Sequence, residues 1–193
     1  MRFALPLTAF VLISMAAFAQ RPQYEINAQT PEGQMLQQAA QTDDAAKKIE
    51  MYEAYLAKYP SHDGAWWAHS QLAPLYLKAG NYDKTMQSAE AVLAKDPLNS
   101  PIAYNALEAA EKKNDVAVIK AWSARTVEAA QKMLASPKPS DEEDAATWAR
   151  EVDFAKQVIT RCEYSLYATA LVSTDPKAVV DLASALEQRH PQS

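Results

Sequence analysis

Cysteine, glycine and histidine are scarce in this chain, and each shortage closes off a class of protein. Its 193 residues hold one Cys, three Gly and three His. A single thiol, Cys162, excludes an internal disulfide even in an oxidising compartment. Nucleophilic work by that thiol needs a base beside it, yet His62, His69 and His190 fall in other expected elements. Three scattered His also leave no set of ligands at metal-binding spacing, so no metal and no cofactor is expected. Gly33, Gly64 and Gly80 stand far apart and no segment alternates apolar with polar residues for long, so strands have little support. The expected fold class is all-α.

Clustered positive charge is also missing. Nineteen Lys and Arg stand against twenty-four Asp and Glu, a net charge of −5, and Lys47-Lys48 and Lys112-Lys113 are isolated pairs. Phosphate binding needs clustered cations, so neither nucleic acid nor an anionic membrane is an expected partner. Long apolar runs are lacking too, apart from one. It stretches from Phe3 to Phe18 behind Met1-Arg2 and ends in Ala17-Phe18-Ala19. A charged start, a short apolar core and an Ala-x-Ala exit describe a signal peptide over 1–19, cut between Ala19 and Gln20. A spanning helix would need about 20 apolar residues. No Cys lies near the cut to carry a lipid, so the exported chain, periplasmic or extracellular, has no direct membrane anchor.

Ala, Leu, Lys, Glu and Gln, which favour helix, are abundant. Residues 20–29 read as a flexible leader, after which Thr30-Pro31 caps and opens a first helix. Thr42-Asp43-Asp44 caps a second with the stripe Ala45, Ile49, Tyr52, Leu56 and Tyr59, stopped by Tyr59-Pro60-Ser61. A third helix runs from Asp63 to Lys78, kinked at Pro74, and Gly80 supplies a left-handed turn before a fourth from Tyr82 to Lys95. Of the neighbours Trp66 and Trp67, the first is expected in the core. Pro101 to Lys113 makes a fifth helix, and a long sixth runs toward the Pro137-Lys138-Pro139 break within a linker over 136–140. Ser140-Asp141-Glu142-Glu143 reads as a capping box rather than a calcium loop. Behind it Trp148, Val152, Ala155, Ile159, Cys162, Leu166 and Thr169 form a packing seam that places Cys162 in the core. Tyr164, Tyr167, Ala168 and Leu171 add a second apolar face, which predicts cover on both sides. A last helix starts at Asp175-Pro176 and closes at His190-Pro191.

The unit 66–99 carries His69-x-x-Leu72-Ala73-x-x-Tyr76, then Gly80-Asn81-Tyr82, Thr85-x-x-x-Ala89 and Pro97. It resembles the tetratricopeptide repeat, whose helix pairs recur about every 34 residues. His69, Thr85 and Ala89 depart from that pattern. Weaker likenesses flank the unit at 31–60 and 100–135, and a C-terminal long-helix hairpin covers 141–191. The resemblance implies a right-handed α-solenoid, TPR-like over 30–135, of about four antiparallel hairpins that bury their apolar faces by stacking.

The resemblance further implies a non-enzymatic scaffold that binds a protein or peptide in a concave groove lined by the first helix of each pair. By pattern, that lining is Trp67, Gln71 and Lys78 from one hairpin, with Ser70 and Pro74 beside them. Tyr104, Asn105 and Glu108 come from the next, with Lys112. The aromatics would anchor and the polar groups would meet the partner's backbone. An alternative is a structural component of cell-envelope assembly, because Tyr52-Glu53-Ala54-Tyr55-Leu56-Ala57-Lys58-Tyr59-Pro60 looks like helices of outer-membrane assembly proteins. An enzyme has least support, since no nucleophile, base and oxyanion donor converge. Neither the partner's identity nor the oligomeric state can be read from the residues.

Overall fold

A computed structural model describes residues 22–189; the expected signal-peptide cut and the His190-Pro191 stop lie outside the described residues. Eight helices and no strand occur among them. In order these are α1 (Pro31–Gln41), α2 (Ala45–Lys58), α3 (Ala65–Lys78), α4 (Tyr82–Lys95), α5 (Ser100–Lys113), α6 (Val116–Leu134), α7 (Glu142–Val172) and α8 (Pro176–Glu187). The all-α expectation holds, and adjacent helices pack as hairpins in a solenoid-like array.

Local chemistry sets most of the boundaries. Thr30 accepts from the Gly33 amide at 3.1 Å, Asp44 from Lys47 at 2.7 Å and Asn99 from Ile102 at 3.2 Å. Asp115 accepts from two amides at the head of α6, and Asp175 from one at the head of α8. Each side chain satisfies an amide that the first helical turn leaves without a partner. The turn at Gly80 is left-handed as expected, with φ 75, and Asn114 takes the same region with φ 54. One cap sits a residue away from its expected place. Asp141, not Ser140, accepts from Glu143 and Asp144 at 2.9 and 3.1 Å, since its carboxylate is the stronger acceptor and suits the positive helix end. Helix α3 starts after Gly64 rather than at Asp63 and continues through Pro74, whose ring is exposed.

Stacking follows the chain order. Helices α3 and α4, α5 and α6, and α7 and α8 form hairpins, with α4 on α5 and α6 on α7 between them. The first helices also touch each other, α3 on α5 and α5 on α7, whereas α2 and α4, and α4 and α6, diverge around clefts. Over α3 to α7, first helices that touch while second helices diverge bend the array with the first helices on its inner side, although α8 also touches α6 at the C-terminal end.

Two apolar cores result. One joins α1, α2 and α3 around Leu36, Tyr52, Tyr55, Leu72 and Tyr76. The larger runs from Ala73 of α3 to Leu182 of α8 and includes Leu107, Trp122, Met133, Cys162 and Leu166. Helix α3 is the shared wall. Cys162 is fully buried there, as the seam predicts.

The second apolar face of α7 is a correction. Tyr164, Tyr167 and Leu171 are 61%, 53% and 67% exposed. Helix α8 packs against α7 and α6 but has 12 residues against the 31 of α7. No described element covers the far side.

Candidate binding surfaces

The residues expected to line a groove are placed unequally. Lys78 is exposed in the last turn of α3, and Gln71, Asn105 and Glu108 are half-buried. Gln71 donates to the Ser70 hydroxyl at 3.2 Å, and Ser70 in turn donates to the Trp67 carbonyl. The two aromatics are engaged inside the chain. Trp67 has its ring 5.9 Å from Tyr52 and 6.2 Å from Tyr24, and Tyr104 lies edge-on to Phe154 of α7 at 6.1 Å. Burial raises the Tyr104 pKa. The expected order of the two neighbouring tryptophans is reversed, since Trp67 and not Trp66 packs against the N-terminal core. The cause is Tyr24. The segment read as a leader has no regular structure over residues 22–26, but Tyr24 and Ile26 lie against that core and Tyr24 meets the Trp67 ring.

Two clefts open instead on the outer side, between successive second helices. The first, of about 330 Å³, is walled by Glu53, Leu56, Ala57 and Pro60 of α2 with Lys84, Gln87 and Ser88 of α4, and floored by His69 and Tyr76 of α3. The second, of about 290 Å³, is walled by Glu90, Leu93, Ala94 and Pro97 at the end of α4 and by Arg125, Glu128, Ala129 and Lys132 of α6. Their walls are near copies in sequence, alike at six of eight positions. Glu53-Ala54-Tyr55-Leu56-Ala57-Lys58-Tyr59-Pro60 recurs one hairpin later as Glu90-Ala91-Val92-Leu93-Ala94-Lys95-Asp96-Pro97. In both copies Glu, Leu, Ala and Pro fall at helical spacing on one face, with Pro ending the helix at the rim.

The opposite walls also correspond. Lys84 binds Glu53 at 2.5 Å and lies 5.3 Å from the centre of the Tyr76 ring. Arg125 binds Glu90 at 2.8 Å and lies 4.7 Å from the Trp122 ring. Each cleft thus carries a carboxylate and a cation shared with it; Tyr76 lies beneath the cation within the first cleft, whereas Trp122 is buried beneath Arg125 outside the lining of the second. In the first cleft Tyr76 also donates to Glu53 at 2.6 Å. The Lys84 and Tyr76 hydrogen bonds hold the Glu53 carboxyl below its usual range. His69 sits 3.2 Å from Ser88, and burial lowers its pKa.

The sequence reading missed these clefts, although the repeated segment was visible in it; what it could not show was which helix stands opposite. Chemically the clefts offer apolar Leu and Ala positions on one wall beside charged rims, and the first adds His69 and Tyr76 at its floor. Among the described residues no group of His, Cys, Asp and Glu could hold a metal ion, and no helix is long and apolar enough to cross a membrane. No protein-family model, curated protein or solved structure matches this chain. The tetratricopeptide likeness therefore rests on its residues.

Proposed function

We propose that this chain is an exported, non-enzymatic scaffold of the tetratricopeptide type that captures a segment of a protein or peptide partner. The observation that supports it is the pair of repeat-equivalent clefts along α2, α4 and α6. A segment laid across them would place one apolar side chain in each, over Leu56-Ala57 and Leu93-Ala94, and meet the Glu–cation pairs at the rims. Repeats of this kind bind by presenting equivalent sites at successive positions. The capture surface is assigned to the second helices because Trp67 and Tyr104, the aromatics of the first-helix face, already have partners within the chain.

Photo-crosslinking in intact cells tests the assignment. A benzoylphenylalanine at exposed Ala57 and another at exposed Ala94 should yield the same partner adduct, whereas the same group at Lys78 should not. Adducts from Lys78 alone would return the site to the first-helix face, and none from any position would reject capture.

A second reading, a structural part of envelope assembly, is favoured by the exposed patch of Tyr164, Tyr167, Leu171, Val172 and Val180 near the α7–α8 corner. Contiguous apolar surface of this kind marks lasting contacts. Under that reading the protein co-sediments with envelope membranes through a partner, and Tyr167→Lys with Leu171→Lys releases it; release by Ala57→Arg and Ala94→Arg instead would favour the clefts.

A further inference from the structure

Tyr24 enters a recess built for a phenol. Its ring lies 6.2 Å from His62, edge to face at 86°, and 6.2 Å from Trp67 at 37°. Its hydroxyl meets that of Tyr55 above Gly64, where a methyl group would lie 2.6 Å from each. Only glycine leaves that space. The Gly64 amide donates to His62 Nδ1 at 3.1 Å, which makes that nitrogen an acceptor, so the Tyr55 hydroxyl 2.8 Å away donates to it as well. The Tyr55 oxygen is thereby left facing Tyr24 as an acceptor. The recess has aromatic walls for a ring and one oriented acceptor for a hydroxyl.

Its occupant is held by side chains. No backbone hydrogen bond runs from residues 22–26 to a helix, and the segment joins α1 only through the turn at Asn27 to Thr30. A segment without regular structure that is held by side chains, here the Tyr24 ring with Ile26 beside it, is a form in which a peptide ligand can be bound.

We propose that the recess of Tyr55, His62, Gly64 and Trp67 is a tyrosine-reading site, occupied in cis by Tyr24, that takes a tyrosine presented by an extended peptide once Tyr24 is displaced. This site lies apart from the clefts and does not depend on their assignment. The hydroxyl acceptor makes the site select phenol over phenyl. The Tyr24 arm is then an intramolecular competitor, and a partner must outbid it.

The test uses the full exported chain carrying Tyr24→Ala, with p-cresol as the probe and toluene as its hydroxyl-free control. Binding of p-cresol, read by calorimetry and by a rise in melting temperature, is expected for the variant and not for the parent. Toluene should bind roughly two- to tenfold more weakly, the worth of one hydrogen bond. A variant that keeps parental helicity yet ignores p-cresol overturns the proposal, as does equal binding of toluene or equal binding to the parent. A second variant works if Tyr24→Ala does not fold. Gly64→Ala fills the space of the hydroxyls, so the arm is released and chymotrypsin cuts after Tyr24 at least about tenfold faster than in the parent; an unchanged rate overturns the proposal.

Discussion

Gly33→Ala sets helix propensity against packing, and the two predict opposite signs. Gly33 sits in the first turn of α1, where replacing Gly by Ala ordinarily stabilises by up to about 1 kcal/mol. The leader forbids it. A Cβ on Gly33 would lie 1.8 Å from the Asn27 carbonyl oxygen and 2.4 Å from its carbon. Backbone cannot yield as a side-chain tip does, so that carbonyl must withdraw by roughly 1.5 Å or more to reach normal contact. It now accepts from the Thr30 amide and the Thr30 hydroxyl, each at 3.1 Å, and Thr30 in turn caps Gly33. Withdrawal breaks both bonds and disturbs the cap, at about 0.5–1.5 kcal/mol per bond and about 1 kcal/mol for the cap. After a propensity gain of about 1 kcal/mol is subtracted, α1 and the arm lose about 1–3 kcal/mol. Hydrogen exchange followed by mass spectrometry checks this by segment. Residues 22–41 should exchange roughly tenfold faster, with α5 to α7 unchanged. Protection of α1 equal to the parent's or greater would refute the reasoning, because it would mean that Asn27 does not lie against Gly33.

Three further outcomes are expected. Leu72→Ala, which empties a fully buried site in the N-terminal core, should cost about 2–5 kcal/mol and lower the melting temperature by several degrees; a midpoint within error of the parent's would remove Leu72 from the core. Cys162, whose thiol burial pushes up to about 11, should react with a disulfide reagent at pH 8 only after denaturant is added, and rapid labelling of the folded chain would contradict its place in the seam. The Glu53 carboxyl, held down by Lys84 and Tyr76, contributes stability above its unfolded pKa and loses it as pH falls through the lower folded value. Glu53→Gln should therefore lower the melting temperature at pH 7 and converge with the parent near pH 3, the effect being small because the side chain is 38% exposed; a gap that widens with acid would reverse the sign.

What could be read from residues alone was whatever is decided locally. Thr30, the Thr42-Asp43-Asp44 run and Asp175 cap helices because a carboxylate or hydroxyl finds amides two or three residues ahead, and Pro60 and Pro97 stop helices because they cannot continue them. Cys162 was placed in the core by the spacing of its own helix. The site was less legible, because it depends on which distant segments meet. Trp67 could be ranked against Trp66 only by knowing that Tyr24 returns from the leader, and a leader without helical period carries no signal of where it docks. Tyr164, Tyr167 and Leu171 looked like a face needing cover, but whether cover exists depends on the length and direction of α8. The clefts occupy a middle case: one wall was written twice in the sequence, while the cations opposite it are set by the stacking of hairpins.

Across the two clefts the second helices α2, α4 and α6 are tied by charge, and α8 adds an ion pair to its packing on α6. Glu53–Lys84 joins α2 to α4, Glu90–Arg125 joins α4 to α6, and Asp181–Lys120 at 2.6 Å joins α8 to α6. Such pairs between partly exposed groups hold about 0–1 kcal/mol each and fade as salt shortens the screening length. The first helices α5 and α7 are joined both by packing, with Tyr104 against Phe154, and by the Arg161–Glu111 pair at 2.8 Å. The ties that bridge the clefts are thus the ones that salt screens, so raising ionic strength weakens them while leaving the apolar contacts between hairpins in place.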